Sequence, residues 1–470
     1  MYDFMNFVSD NADKKNPLLV TSSMIQHPTG FMYLDYGVGN YMTVYDDNED
    51  PLYTYHNIGI TSGSVNVVIS KSQGGKTTLC IEMLMAIIEP FINQMYYAQA
   101  KQDIMKMYPK EAVNVEYDGA PMIQILDTEK TLPAEYVKKL VHYPNKLMKR
   151  HVMINPITTD KDLIAAVEKH IAYKTQHMKP ELMPMLDMYG KPMYQYAPTG
   201  LIIDSMSQLL LEEVDDPAIV KKKGGLQDLY ESATKGPAGA QRAKIISALY
   251  SQLVNYAKRY NIIIFSINHI NKMPAIMGIP VKQYRGLRAG ETIGGGERAI
   301  YLASNILRLD VIKNIGGQSS TSVQLGEGIT GHVAIASWIK SKSNSRSNNC
   351  QLVYTNQNGY DQLMSSIWFS KENGDLAKSG NFYYVNGYPE YKFTLKTATD
   401  TFAEHPELFG AYYDQLRDCC SKMLDNPDNA MKNNQKLMES IRDDIQNDDD
   451  YSHNDMMDID DIFQAATMEG

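Results

Sequence analysis

No apolar run in this chain approaches the ~18 residues that a membrane-spanning helix needs, which argues against a helical membrane protein. The N-terminal stretch MYDFMNFVSDNADKK has no basic start followed by an apolar core, so it does not read as a secretory signal. Cysteine is scarce. The four present, Cys80, Cys350, Cys419 and Cys420, show neither zinc spacing nor a disulfide framework, and they fit a reducing, cytoplasmic compartment. Excess charge of one sign is also missing from most of the chain. The net charge of −10 is concentrated from Ile441 onward, where Asp443, Asp444, Asp448, Asp449, Asp450, Asp455, Asp458, Asp460, Asp461 and Glu469 face only Arg442. The body is therefore close to neutral, and an acidic tail on a neutral body does not exclude a nucleic-acid partner.

What is present is ordinary for a globular protein: 43% apolar and 21% charged residues over 470 positions. That length suits one large core with appendages, or two to three domains. Strand and helix signals alternate from Val65 onward. Val65–Ile69, Ile123–Leu126, Val152–Ile154, Leu201–Ile203 and Ile262–Ile267 read as short buried strands. Between them, helices are expected from Thr77, from Pro133, over Asp160–Tyr173 with Thr159 as N-cap, and over Ile245–Tyr256. This alternation predicts an α/β fold with a mostly parallel central sheet and ligands at the C-terminal ends of its strands. Residues 178–199, rich in Met, Pro and Tyr, read as an inserted loop or hairpin. Asn271–Gly296 carries Pro274, Pro280 and several glycines and reads as a long loop. Further β-like stretches, His332–Lys340 and Gln351–Tyr354, precede a small α/β module. The expected organisation is an arm over 1–28, a core over 29–375, the module over 376–428 and an acidic, disordered tail over 429–470.

The sharpest motif is VNVVISKSQGGKTTL, Val65 to Leu79. A common phosphate-binding loop reads G-x-x-x-x-G-K-[ST]; its N–H groups face phosphates, its lysine reaches the β- and γ-oxygens, and its hydroxyl holds Mg²⁺. Gly75, Lys76 and Thr77 fill the last three places, while Ser70 replaces the first glycine and crowds the turn. The buried strand before it and the helix after it supply the context, a helix N-terminus aimed at an anion. Ser70, Lys71, Ser72, Gln73, Gly74, Gly75, Lys76, Thr77 and Thr78 are thus the candidate triphosphate contacts. A nucleotide hydrolase also needs a metal-shell carboxylate, a group that positions water and a sensor of the γ-phosphate. Asp204 after Leu201–Ile203 suits the first, together with Thr77; Glu129 beyond Ile123–Leu126 suits the second; Asn268 and His269 after Ile262–Ile267 suit the third. An acid at a strand end is more often a helix cap or loop residue, but three such sites behind one phosphate loop are hard to dismiss.

In this order the motifs resemble the RecA-type homologous-recombination ATPases, of the bacteriophage UvsX-like kind. Thr29-Gly30-Phe31-Met32-Tyr33-Leu34-Asp35 resembles that family's lead-in to its core. Asp127-Thr128-Glu129 through Leu140 resembles its D-x-E segment and adenine-contacting tyrosine, and Asp204-Ser205 its metal-shell aspartate. Gly294-Gly295-Gly296-Glu297-Arg298 and the strand ending Leu307-Arg308-Leu309-Asp310 resemble the return from a DNA-binding loop. Lys340-Ser341-Lys342 resembles paired lysines that reach a neighbouring protomer's ATP site, and Phe382–Leu408, more faintly, the small C-terminal module.

The resemblance implies a RecA-like P-loop ATPase core that uses ATP and Mg²⁺. It makes Glu129 the catalytic glutamate beside Lys76, places Tyr136 on the adenine, and brings Lys340 and Lys342 from a neighbour. His269 stands where the family has glutamine or, in some phage members, histidine; imidazole titrates near neutrality, so coupling there can be pH-sensitive. Two loops would contact DNA: one near Lys235 and Arg242, the other through Lys272, Lys282, Tyr284, Arg285 and Arg288. Cations there would neutralise phosphates, and interleaved apolar groups would wedge between bases. Arg242 and Lys244 equally suit the polar face of the following helix.

The implied partners are single- and double-stranded DNA, further copies of the chain in a helical filament, and a loading or single-strand-binding factor. The implied place is the cytoplasm of an infected bacterial cell. The tail reads either as a solubilising segment or as an electrostatic mimic of DNA, and Met456–Phe463 mixes acids with apolar anchors suited to a partner. A ring-forming replicative helicase and a weakly hydrolysing ATP-binding filament protein remain the alternative readings.

Overall fold

A computed structural model describes residues 25–45, 51–71, 74–106, 122–141, 151–178, 181–186, 192–211, 237–272, 287–293, 296–316, 328–343 and 349–422, with Val323, Leu325 and Leu424. The described residues belong to one compact unit that ends at Leu424. The arm up to residue 24, the acidic tail, Ser72, Gln73, Lys235, Lys282, Tyr284 and Arg285 lie outside the described residues.

In chain order the elements open with β1 (Gln26–His27), α1 (Met32–Gly37), β2 (Asn40–Tyr45), β3 (Pro51–Asn57), β4 (Ile60–Thr61) and β5 (Val65–Ser70). Next come α2 (Lys76–Lys106), β6 (Ile123–Asp127), α3 (Ala134–Val141), β7 (Val152–Pro156), α4 (Asp160–His177), β8 (Glu181–Leu186), β9 (Pro192–Gln195) and β10 (Thr199–Asp204). They continue with α5 (Pro237–Tyr260), β11 (Ile262–Lys272), β12 (Glu291–Ile293), α6 (Gly296–Leu302), β13 (Asn305–Ile315), β14 (Gly331–Ser341), β15 (Asn349–Thr355) and β16 (Gly359–Tyr360). The last are α7 (Gln362–Asn373), β17 (Ala377–Ser379), β18 (Phe382–Tyr384), α8 (Ala398–Glu404) and α9 (Glu407–Ser421).

A ten-stranded sheet in the order β16-β15-β14-β13-β5-β11-β10-β6-β7, with β12 added on β11, organises the unit. From β13 to β7 every neighbouring pair is parallel, and β14 to β16 are antiparallel. The expected α/β architecture with a mostly parallel sheet is therefore present.

Period-two alternation sends side chains to two separate cores. From β5, β10 and β11, Val67, Ile69, Leu201, Ile203, Ile262 and Ile264 enter the layer beneath α4, α5 and α6. Val68, Ile202, Ile263, Phe265 and Ile267 face the other way, toward α1 and α2. The Thr159 capping box that starts α4 is formed, with Asp162 as its reciprocal partner. Leu163 and Val167 of that helix are buried, and Ile164 and Ile171 pack against the same core. The lead-in Thr29–Asp35 is locked by Asp35, whose buried carboxylate accepts from the Thr29 N–H at 2.9 Å and the Thr29 hydroxyl at 2.6 Å. Burial pushes that carboxyl up to about 7.

Three expectations need amending. Asn271–Gly296 is not loop throughout, because Asn271 and Lys272 extend β11 and pair antiparallel with Thr292 and Glu291 of β12. The first DNA-loop candidate is helical from Pro237, so Arg242 lies on α5, where its guanidinium donates to the Leu209 carbonyl at 2.9 Å. The elements after Leu376 share their core with the sheet: Phe393, Phe402, Leu408 and Tyr412 pack with Ile367, Trp368, Val333 and Val353. Within residues 178–199, β8 pairs antiparallel with β9, as the strands of a hairpin do.

Lys174 of α4 anchors the base of that hairpin. It is 0% exposed, and its ammonium donates to the carbonyls of Ala197 (2.9 Å) and Asn261 (3.0 Å) and to the Thr199 hydroxyl (3.1 Å). Burial pushes its pKa well down, yet three acceptors match the three N–H donors of an ammonium. Lys174→Met keeps the stem but removes the one donor that joins the Ala197 carbonyl, the Thr199 hydroxyl and the Asn261 carbonyl. It is expected to cost about 2–4 kcal/mol, read from urea unfolding midpoints at unchanged m-value.

Candidate functional site

On four neighbouring parallel strands, β5, β11, β10 and β6, the residues Ser70, His269, Asp204 and Asp127 lie within two register positions of one another. His269 of β11 pairs with Ser70 of β5, and Asp204 of β10 pairs with Asp127 of β6. Sequence-distant groups therefore meet at one edge of the sheet.

The Ser70–Thr77 turn comes first. Gly75 has φ +72, a conformation open to glycine at little cost, and its carbonyl accepts from the Leu79 N–H to begin α2. Lys76 is only 6% exposed. Its ammonium bends back over the turn, donating to Ser70 Oγ at 2.9 Å and to the Lys71 carbonyl at 3.1 Å. Ser70 Oγ in turn donates to the Lys71 carbonyl at 2.5 Å. The serine that breaks the glycine pattern is thus a ligand of the lysine, and it fits because Gly74 has no Cβ to strike its hydroxyl. Burial lowers the Lys76 pKa, and the nearby carboxylates of Asp204 and Glu129 oppose that shift.

The acids converge on the same place. Thr77 Oγ1 donates to Asp204 Oδ2 at 2.5 Å. Burial is the main cause that pushes Asp204 up to about 6; the Thr77 hydrogen bond opposes it, and the charges of Glu129 and Asp127 add to it. Asp127 shapes the following turn by accepting from the N–H groups of Lys130 (2.8 Å) and Leu132 (3.1 Å). Thr128 stitches that turn to β10, donating from its N–H to the Asp204 carbonyl at 2.7 Å and accepting from the Ser205 N–H at 2.7 Å. Glu129, carried on this turn, contacts His269 Nε2 at 3.1 Å and accepts from Ser205 Oγ at 3.1 Å, both through Oε1. An open cavity of about 660 Å³ lies above, bordered by Lys71, Thr128, Glu129, Gln208, His269 and Asn271.

Asn268 does not share this cleft. Alternation turns it to the opposite face, where it is 0% exposed and donates to the Tyr250 hydroxyl at 3.2 Å, so His269 alone faces the site. Tyr136 lies to the other side of α2, its hydroxyl against that of Thr78 and 3.3 Å from that of Tyr354. Tyr354 and Tyr360 meet edge to face at 5.3 Å. The Tyr360 hydroxyl donates to the Gly74 carbonyl at 3.3 Å, and its N–H donates to Glu82 Oε1 at 3.0 Å. Burial pushes Glu82 up to about 8. Ser205, Glu82, Tyr354 and Tyr360 were not singled out from sequence. Ser205 could have been, as the residue after a strand-end aspartate, whereas nothing local marks two tyrosines some 280 positions from the turn that they support.

Lys340 and Lys342 are elsewhere. Lys340 pairs with Ile306, at the level of Val67, which sets it roughly 10 Å back along the sheet from Ser70 at ~3.3 Å per residue. Its ammonium donates to the carbonyls of Ile300 (2.6 Å) and Tyr301 (2.7 Å), and that of Lys342 to the Leu302 carbonyl at 3.5 Å. Within a protomer both lysines therefore cap the C-terminal end of α6. Lys272 ends β11, and Arg288, with a side chain 67% exposed, stands at the foot of β12.

This arrangement can cradle a polyphosphate at a helix N-terminus and share a divalent cation between a hydroxyl and a carboxylate. It also holds a second carboxylate beside an imidazole. Among the described residues no helix is long and apolar enough to cross a membrane. No protein-family model matches the chain, and no curated protein matches it significantly.

Gly75→Ala meets two penalties, the positive φ and a collision of its Cβ with the Tyr360 hydroxyl. The expected loss is about 2–3 kcal/mol by chemical denaturation, falling to about 1 kcal/mol in a Tyr360→Phe background, where only backbone strain and a milder contact remain.

Proposed function

We propose that this chain is a RecA-like, DNA-dependent ATPase that forms nucleotide-dependent helical filaments on single-stranded DNA and pairs it with homologous duplex. The observation that carries the reading is the convergence of Lys76, Thr77, Asp204, Glu129 and His269 from four adjacent parallel strands around one turn. The fit to ATP and Mg²⁺ rests on chemistry already described. Lys76 is poised on neutral oxygens that a phosphate would outcompete, and the Thr77–Asp204 pair offers oxygen ligands to a hard cation that completes its shell with phosphates and water. When bound, the nucleotide would supply the phosphoanhydride and the metal would offset charge on its oxygens.

The rest is done by the chain's own groups. The turn and Lys76 hold the triphosphate. Glu129 accepts the hydrogen bond of an attacking water and orients it, with Ser205 fixing the carboxylate. His269 touches Glu129 and sits three residues before Lys272, so the state of the site is felt at the root of the β11–β12 excursion. That excursion, with Lys272, Lys282, Tyr284, Arg285 and Arg288, is the proposed DNA contact; cations hold phosphates, and base pairing between strands tests homology. Tyr136, with Tyr354 beside it, offers an aromatic wall for the base. Lys340 and Lys342, turned from their own site, serve that of the next protomer in the filament.

Lys76→Ala is expected to abolish nucleotide-dependent binding to single-stranded DNA. Glu129→Gln should leave that binding intact while slowing hydrolysis by about 10²–10⁴-fold, measured by phosphate release and by fluorescence anisotropy; loss of binding in Glu129→Gln contradicts its role. The decisive image is negative-stain electron microscopy on long single-stranded DNA with a slowly hydrolysed ATP analogue. Continuous filaments that require the nucleotide are expected, and discrete hexameric rings would replace this reading with a ring-forming helicase.

A further inference from the structure

The excursion that leaves the sheet after Lys272 comes back onto a cluster of four charges that the proposed chemistry does not use. Arg308 of β13 is 4% exposed, and its guanidinium grips Glu291 of β12 in a two-point fork, Nη1 to Oε2 at 2.5 Å and Nη2 to Oε1 at 3.0 Å. The same guanidinium donates to Asp310, from Nε to Oδ2 at 2.7 Å and from Nη2 to Oδ1 at 3.2 Å. Arg288 joins from outside: its Nη2 donates to Asp310 Oδ2 at 3.1 Å, while its backbone N–H donates to Glu291 Oε2 at 3.0 Å.

The two arginines are held in different ways. Arg308 is buried, bidentate toward Glu291 and bonded again to Asp310, so removing it would take the main partner from two carboxylates. Among the described residues Arg288 has one side-chain bond; its side chain is 67% exposed, and an exposed pair of this kind adds little stability. Its backbone, by contrast, is pinned by Glu291. The side chain is therefore free to change partner while its anchor stays in place. When it leaves, Asp310 keeps Arg308 and is not left unpaired.

We propose that Asp310 is a resident anion that parks Arg288 when no nucleic acid is present, and that a DNA backbone phosphate displaces it from the guanidinium. A phosphodiester presents two anionic oxygens that a guanidinium can take as it takes those of a carboxylate, and it carries its charge on a polyanion, so guanidinium exchanges one for the other readily. Arg288 then becomes the phosphate contact nearest β12, and Asp310 sets how much free DNA is needed to engage it. The inference rests on the reading of this chain as a DNA-binding protein.

The test is a two-by-two comparison by fluorescence anisotropy with a labelled oligothymidylate and a slowly hydrolysed ATP analogue, at several salt concentrations. The four proteins are the parent, Asp310→Asn, Arg288→Gln and the double variant. Asp310→Asn retains an acceptor for Arg308 and should tighten binding about two- to fivefold, the range that loss of one exposed ion pair allows. Arg288→Gln should weaken binding and lower the slope of log affinity against log salt by about 0.7, the value for one phosphate of a single strand. In the Arg288→Gln background the Asp310 change should do nothing. Equal tightening in both backgrounds would reveal a general charge effect and overturn the proposal, as would an unchanged salt slope in Arg288→Gln. Arg288 is exposed, so that second readout stands even where Asp310→Asn perturbs folding. A parent protein that binds no DNA would instead remove the functional reading itself.

Discussion

The parallel register of β5, β11, β10 and β6 is the constraint on which the rest of this protein depends. Parallel hydrogen bonding brings all the C-terminal ends of these strands to one edge, and burial on both faces leaves no freedom to slip by a residue. A one-residue shift of β11 would exchange His269 for Asn268, removing the imidazole from Glu129 and burying it beneath α5. The hydrogen bond between Thr77 and Asp204 and the contact between Glu129 and His269 are consequences of that register. So is the crowding of three carboxylates, Asp127, Glu129 and Asp204, where burial, and then the charges of the other two, raise the pKa of Asp204.

Elsewhere in the fold the chain places buried polar clusters where a purely apolar interior would leave the geometry underdetermined. Asp35 closes the lead-in on Thr29, Lys174 ties α4 to the starts of β10 and β11, and Arg308 joins β12 to β13. Each satisfies its donors and acceptors almost completely, which is the condition under which a buried charge helps specify a structure. Of the three, Arg308 borders the candidate DNA-binding excursion, where it holds Glu291 of β12, while Lys174 works at the opposite ends of the strands.

The positions of Lys76, Thr77, Glu129, Asp204 and His269 were legible because each follows a short apolar run, and a strand's end is a local signal. Other features were not. That Asn268 turns away from the cleft follows from period two, but the starting phase is set by packing against α5. The caps that Lys340 and Lys342 place on α6 require knowing that β14 runs antiparallel beside β13. Tyr360 reaches the turn, with Tyr354 packed against it, only because β15 and β16 extend the sheet past β13, and no pattern near either residue announces it. The role of Ser70 inverted: read as a crowded substitute for glycine, it is an acceptor for Lys76.

By itself the sequence determined the alternation of strand and helix, the parallel sheet and the identity of the groups at its strand ends, because apolar periodicity and strand-to-helix turns are local properties. Tertiary structure alone decided which of those groups share a cavity, which arginine is buried and which exposed, and which face each lysine serves. Those outcomes depend on register and on contacts between residues far apart in the chain, where burial and charge pairing are settled only once the layers have closed.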